Sequence, residues 1–190
     1  MKLSIVICVY NTDKGYFDTC LKSLTESTLS NTAICGRRDL SYEIVVVDDG
    51  SSIDYTEIIS KYPAITYTKT ENRGIFRARA TGVELASGDL IAFCDSDDTV
   101  SYNYHLPMVL ATDRTGADIV INDWAFHSAR ARYCCQADST ISTDIEKTGE
   151  DVLLAFTAQR GREHSYYVLW NKVYSAAVLR AATRDALAAA

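Results

Sequence analysis

Four runs of apolar, β-branched-rich residues punctuate the first hundred positions: 3–10, 42–47, 65–69 and 90–94. Each is bounded by polar or turn-forming residues, so each reads as a buried strand. Between them the apolar spacing changes to that of a helix. Phe17, Leu21 and Leu24, with Cys20 and Lys22 between, predict one helix. A short one spans 53–62 and stops at Pro63. A third follows the Glu71-Asn72-Arg73-Gly74 turn, with Ile75, Ala78, Arg79, Gly82, Val83 and Ala86 on one stripe. The order β-α-β-α-β-α-β with short connections and right-handed crossovers predicts an α/β fold, a mostly parallel central sheet with helices on both faces.

Beyond position 98 the periodicity weakens. A helix is expected over 102–114 with Leu106, Val109 and Leu110 inward, then a strand over 117–122. Residues 124–136 read as a hairpin or two short strands, and Thr148-Gly149-Glu150-Asp151 as a helix start. An apolar run over 166–170 ends at Asn171-Lys172-Val173-Tyr174, and a last helix covers 176–190. The polar stretch 25–38 reads as a helix end and loop. No internal repeat is present, and 1–190 reads as a single domain.

Composition narrows the function. The net charge of −6 and pI near 5.0 argue against a nucleic-acid partner, which needs a basic face. They leave room for a nucleotide whose phosphates are met by a metal. The six cysteines, Cys8, Cys20, Cys35, Cys94, Cys134 and Cys135, include no C-x-x-C pair. They read as reduced thiols of a cytoplasmic protein, Cys8 and Cys94 as small buried hydrophobes. The N-terminal apolar run is too short for a transmembrane helix and lacks a cleavage site.

The chemistry sits at strand ends. The run 90–94 stops in Asp95-Ser96-Asp97-Asp98, three carboxylates within four positions. Crowded carboxylates raise one another's pKa, and a hard cation such as Mg²⁺ or Mn²⁺ relieves the repulsion while sharing its coordination with substrate phosphates. The alternative is a solvated acidic turn or a helix cap. Two other strands also end in polar groups, at Val9-Tyr10-Asn11 and at Asp48-Asp49-Gly50-Ser51. Ligands of open α/β sheets bind outside the carboxyl ends of the strands, so the three ends are expected to meet in one crevice.

These segments together resemble family 2 glycosyltransferases: Ser4 to Asn11, Val46-Val47-Asp48-Asp49-Gly50-Ser51, Asn72-Arg73-Gly74, and Ala86-Ser87-Gly88-Asp89 through Asp98. The resemblance covers residues 3 to about 100 and extends to Trp170-Asn171-Lys172-Val173-Tyr174, which is similar to a segment of bacterial polysaccharide-building members. It implies the Rossmann-like GT-A fold, with 1–100 the nucleotide-binding half and 101–190 part of an acceptor-side half. It also implies an inverting, metal-dependent transfer from a nucleotide-diphosphate sugar, a UDP-sugar first, to a glycan or lipid-linked acceptor. Under it Val9, Tyr10 and Asn11 wrap the nucleobase, Asp49 contacts the base, and Asp95 and Ser96 face the ribose. Asp97 is the metal ligand, joined by Asp95 and Asp98. Arg73, Arg77 and Arg79 are candidates for the phosphates.

Two departures from the family pattern stand out. Ala80 follows Ala78-Arg79 where the family often has Asn. The acidic Glu-Asp pair that family members place after the Asn-Lys-Val-Tyr segment, as expected for a general base, is missing before Ala190. The base is therefore expected beyond Ala190, with Asp123 a further candidate, and Glu150-Asp151 is read as a helix N-terminus. His105, His127 and His164 follow no motif and read as surface or packing residues. A truncated chain of this kind retains donor binding; one alternative is a nucleotide-sugar-binding domain lacking the base. A region past Ala190 is also the expected route to peripheral association with the cytoplasmic face of a membrane. A nucleotidyltransferase fits less well, because Asn11-Thr12-Asp13-Lys14-Gly15 is a poor phosphate loop.

Overall fold

The computed structural model describes residues 1–27, 39–121, 169 and 171–189. In chain order the elements are β1 (Lys2–Val9), α1 (Lys14–Thr25), β2 (Ser41–Asp48), α2 (Thr56–Ser60), β3 (Thr66–Lys69) and α3 (Ile75–Leu85). They continue with β4 (Leu90–Asp95), α4 (Leu106–Thr115), β5 (Ile119–Ile121), β6 (Lys172–Ser175) and α5 (Ala176–Ala188). The six strands form one sheet in the order β3-β2-β1-β4-β6-β5. β1 to β4 are parallel neighbours, and β6 runs antiparallel to both β4 and β5.

β1 sits mid-sheet, which accounts for its unbroken apolar run: both of its faces are covered. Leu3, Ile5, Ile7 and Val9 join α1, α2 and α4 in one core, through Phe17, Cys20, Leu21, Leu24, Ile58, Met108 and Val109. Val6, on the other face, joins Val45, Ile91 and Phe93 of the sheet with Val83 of α3 and Ala176 of α5. β4 splits the same way, Leu90, Ala92 and Cys94 to the first core and Ile91 and Phe93 to the second. Helices therefore lie on both faces, as expected.

Packing relocates several side chains. The buried face of α3 is Ala78, Ala80, Gly82 and Val83, and Ile75 is exposed instead. α4 begins four residues later than expected and buries Met108, Val109 and Thr112, while Leu110 faces out. Pro107 in its first turn explains the late start, because its fixed φ suits a helix start and not an interior. The Lys172 to Tyr174 stretch, expected to follow a strand, is itself in the strand β6, with Val173 opposite Ala92. The readings of 28–38, of 122–168 (Cys35, Asp123, His127, Cys134, Cys135, Glu150, Asp151 and His164 among them) and of Trp170 lie outside the described residues. Among the described residues no helix is long and apolar enough to cross a membrane.

Candidate functional site

The chain proceeds from β1 outward to β2 and β3, then returns to add β4 on the other side of β1. The order therefore reverses between β1 and β4, and the crevice outside their carboxyl ends is where this sheet type holds ligands. Register brings the polar ends together there. Val9 lies beside Asp48 on one flank of β1, and Cys8 lies beside Asp95 on the other.

A cleft of about 220 Å³ opens at this edge, lined by Cys8, Val9, Tyr10, Asp49, Asn72, Gly74 and Ile75. Tyr10 and Ile75 are about half exposed and give it an apolar rim. Cys8 is only partly buried, where a small buried hydrophobe is expected. Burial pushes its thiol up to about 12, opposed by the Arg79 guanidinium and aided by the Asp49 and Asp95 carboxylates. Its surroundings place charges from both sides of β1 around one point.

Asp48 and Asp49 divide their work. Asp48 is fully buried, accepting from the Ser51 amide at 2.7 Å and the Tyr67 hydroxyl at 2.7 Å, with Lys69 Nζ at 3.7 Å. Asp49 is 4% exposed, and its Oδ1 and Oδ2 accept from the Arg73 and Gly74 amides, each at 2.9 Å. Asp49 therefore fixes the 72–74 loop, one wall of the cleft. Each carboxylate oxygen carries a second lone pair, so Asp49 keeps capacity to accept from a ligand. Gly50 allows this approach: its φ is +76°, and a Cβ there would meet the Asn72 amide nitrogen at 2.6 Å.

Asn11 adopts φ +52°, which Asn tolerates better than most residues. Its Oδ1 accepts from the Ser52 amide at 2.8 Å and the Ser52 hydroxyl at 2.9 Å, and its own amide donates to Ser51 Oγ at 3.0 Å. The Asn11 side chain thus ties β1 to the loop after β2. Val9 is fully buried and its carbonyl accepts from the Asp49 amide at 2.9 Å, so its contribution to the cleft is wall rather than acceptor.

On the other flank Asp97 and Asp98 are exposed and Asp95 is partly buried, whereas Ser96 is 7% exposed. The Ser96 hydroxyl faces inward to Thr12 Oγ1 at 2.7 Å. The Asp98 amide donates to the Asp95 carbonyl at 3.1 Å, closing a turn. Burial, then the Asp95 and Asp97 charges, raise the Asp98 carboxyl. The two neighbouring charges add to the effect of burial, and an all-oxygen donor set of this kind would suit a hard cation. Asp98 does not cap α4, whose N-cap is His105. Among the described residues no three His, Cys, Asp or Glu side chains are grouped so as to hold a metal ion.

Arg79 reaches this flank from α3, 3.4 Å from Asp95 Oδ1 and 5.9 Å from the Phe93 ring centroid. Arg73 pairs instead with exposed Glu71 at 3.4 Å, and Arg77 is exposed on α3. His105 is buried among packing residues, as expected, with the Tyr104 ring edge-on at 5.0 Å. Nothing in the sequence marks the pairings of Thr12, Ser52, Tyr55 and the inward Ser96; only the partner each finds in the fold reveals its work.

Residues 4–157 match the model of glycosyl transferase family 2. The chain belongs to that family. EpsH of Bacillus subtilis (strain 168) is 29% identical over 94% of this chain and 48% of its own length. The crystal structure of S. aureus TarS 1-349 in complex with UDP superposes with a TM-score of 0.69 at 23% identity, covering 96% of this chain and 49% of that one. The same protein in complex with UDP-GlcNAc gives 0.67 at 21% identity, with 96% and 47% covered. These likenesses establish the GT-A fold. The chain spans about half the length of EpsH and of the TarS chain.

Proposed function

We propose that this chain is the donor-binding part of an inverting, metal-dependent glycosyltransferase. It takes a sugar from a UDP-sugar and passes it to a glycan or lipid-linked acceptor. The observation that carries the proposal is an apolar-rimmed cleft at the β1/β4 reversal, lined by Asp49 and by Cys8, whose partner in register on β4 is Asp95, the first of the acidic cluster. A nucleoside diphosphate has that profile, a flat base at one end and a charged pyrophosphate at the other.

In this reading Tyr10 and Ile75 flank the base, Val9 and Asn11 shape its wall, and Asp49 accepts from uracil N3–H. Asp95 faces the ribose and Arg79 the phosphates. Mg²⁺ or Mn²⁺ would be held by Asp97 with Asp95 or Asp98 as a second oxygen donor, and would offset charge on the departing nucleotide as a Lewis acid. The base is supported by the UDP complex of TarS, which shares the fold.

Calorimetry with UDP tests the proposal directly. Binding is expected to strengthen at least tenfold when Mn²⁺ is added, and Asp97→Ala is expected to erase that gain. No UDP binding in Mn²⁺, or an unchanged gain in Asp97→Ala, would sink it. A transfer assay with a UDP-sugar then separates a working transferase from a domain that binds donor alone.

A further inference from the structure

The carboxylates that would meet the two ends of the donor stand on separate loops, and one dipeptide joins those loops. Asn11 holds the loop after β2 through Ser51 and Ser52, at 2.8 to 3.0 Å. Thr12, the next residue, holds the loop after β4 through the Ser96 hydroxyl at 2.7 Å, across 84 positions of sequence. Thr12 is in turn fixed from behind: its carbonyl accepts from the Tyr55 hydroxyl at 2.6 Å. Tyr55 is 1% exposed, its ring edge-on to Phe17 of α1 at 4.9 Å.

Ser96 lies between Asp95 and Asp97, and neighbouring residues in a turn cannot all face the same way. Fixing the middle hydroxyl inward leaves Asp97 on the exposed side. A hydroxyl–hydroxyl bond on a residue itself held by a buried Tyr adds a stiff reference point to a loop that also carries the Asp98 amide to Asp95 carbonyl bond, the Arg79–Asp95 pair and the Val100 amide to Ser23 Oγ bond.

We propose that Thr12 is a positioning residue: through Ser96 it sets Asp95 and Asp97 relative to Asp49, so that metal and base contacts match the length of one nucleoside diphosphate. This rests on the donor reading above. Thr12 is not among the residues lining the cleft; it acts through Ser96.

The test compares UDP affinity with and without Mn²⁺ in the wild type, Thr12→Val, Thr12→Ser, Ser96→Ala and the Thr12→Val/Ser96→Ala double variant. Thr12→Val keeps the shape and removes the hydroxyl. The metal-free affinity of Thr12→Val is expected to stay within about twofold, and the Mn²⁺-dependent gain to fall about tenfold in Thr12→Val and Ser96→Ala. Thr12→Ser should restore the gain, and the double variant should lose no more of it than either single one. If Thr12→Val does not fold, Thr12→Ala carries the same comparison. An unchanged gain in Thr12→Val and Ser96→Ala, or an equal loss with and without metal, overturns the positioning role while the donor reading stands. A wild type with no Mn²⁺-dependent gain overturns both.

Discussion

Asp49 spends both oxygens on the amides of Arg73 and Gly74, so its charge orders a wall of the cleft before any ligand arrives. Charged acceptors hold amide donors more strongly than neutral ones. Asp49→Asn would turn an NH₂ toward one of those amides and lose that bond. The expected result is a loss of about 1–2 kcal/mol in stability and a fall in UDP affinity of about tenfold. Denaturant titration and calorimetry on the same variant check both, and an affinity unchanged from wild type would remove Asp49 from the site. Asp48, one residue earlier, is as acidic in sequence but wholly buried among Ser51, Tyr67 and Lys69. β2 ends at Asp48 and Asp49 opens the loop beyond it, and that step out of the strand decides which of two identical residues meets the crevice.

At the scale of elements, α3 lies on β1 because Gly82 removes the side chain where they touch. A Cβ at Gly82 would collide with Val6 Cγ1. Val6 is fully buried and β-branched, so it has little freedom to turn away. Gly82→Ala gains up to about 1 kcal/mol of helix propensity but costs about 1–3 kcal/mol of overpacking. Net destabilisation is expected, and Val6→Ala should be better tolerated in that background than alone; a two-by-two denaturation cycle reads this. The opposite edge of the sheet is tied by Glu43 of β2. It accepts from Lys2 Nζ at 2.7 Å and Ser4 Oγ at 2.6 Å on β1, and from the Ser87 amide at 2.6 Å ahead of β4. Three elements thus share one carboxylate at the end away from the crevice, and the crevice end is left to loops.

For the whole molecule these groups set the acid side of the stability curve. Burial lowers the His105 pKa to about 4 from an ordinary 6.5, and among the described residues neither ring nitrogen has a hydrogen-bond partner. The unfolded chain then binds the extra proton first, so stability is complete above pH 6.5 and falls as the pH drops toward 4. Glu43 is opposed by burial but lowered overall to about 2 by the hydrogen bonds from Lys2, Ser4 and Ser87. Its contribution is complete above 4.5 and is lost as the pH falls toward 2. Urea titrations at stepped pH should show both limbs. His105→Leu is expected to flatten the upper one, and Glu43→Gln to flatten the lower one while costing about 2 kcal/mol at neutral pH. A wild-type curve level between pH 6.5 and 4 would refute the His105 assignment. The sheet, its two helical layers and the location of the crevice could be read from the chain alone. They follow from local rules: apolar runs make buried strands, crossovers are right-handed, and parallel strands line up their carboxyl ends. The face that α4 buries, the antiparallel β6 and the partly open Cys8 could not, because each depends on which surface arrives to cover it. The same holds for Thr12, Ser96 and the amides that Asp49 holds. Sequence spacing determined which loops carry the carboxylates; only the packed molecule, by pairing hydroxyls 84 positions apart, decided how those loops are set against one another.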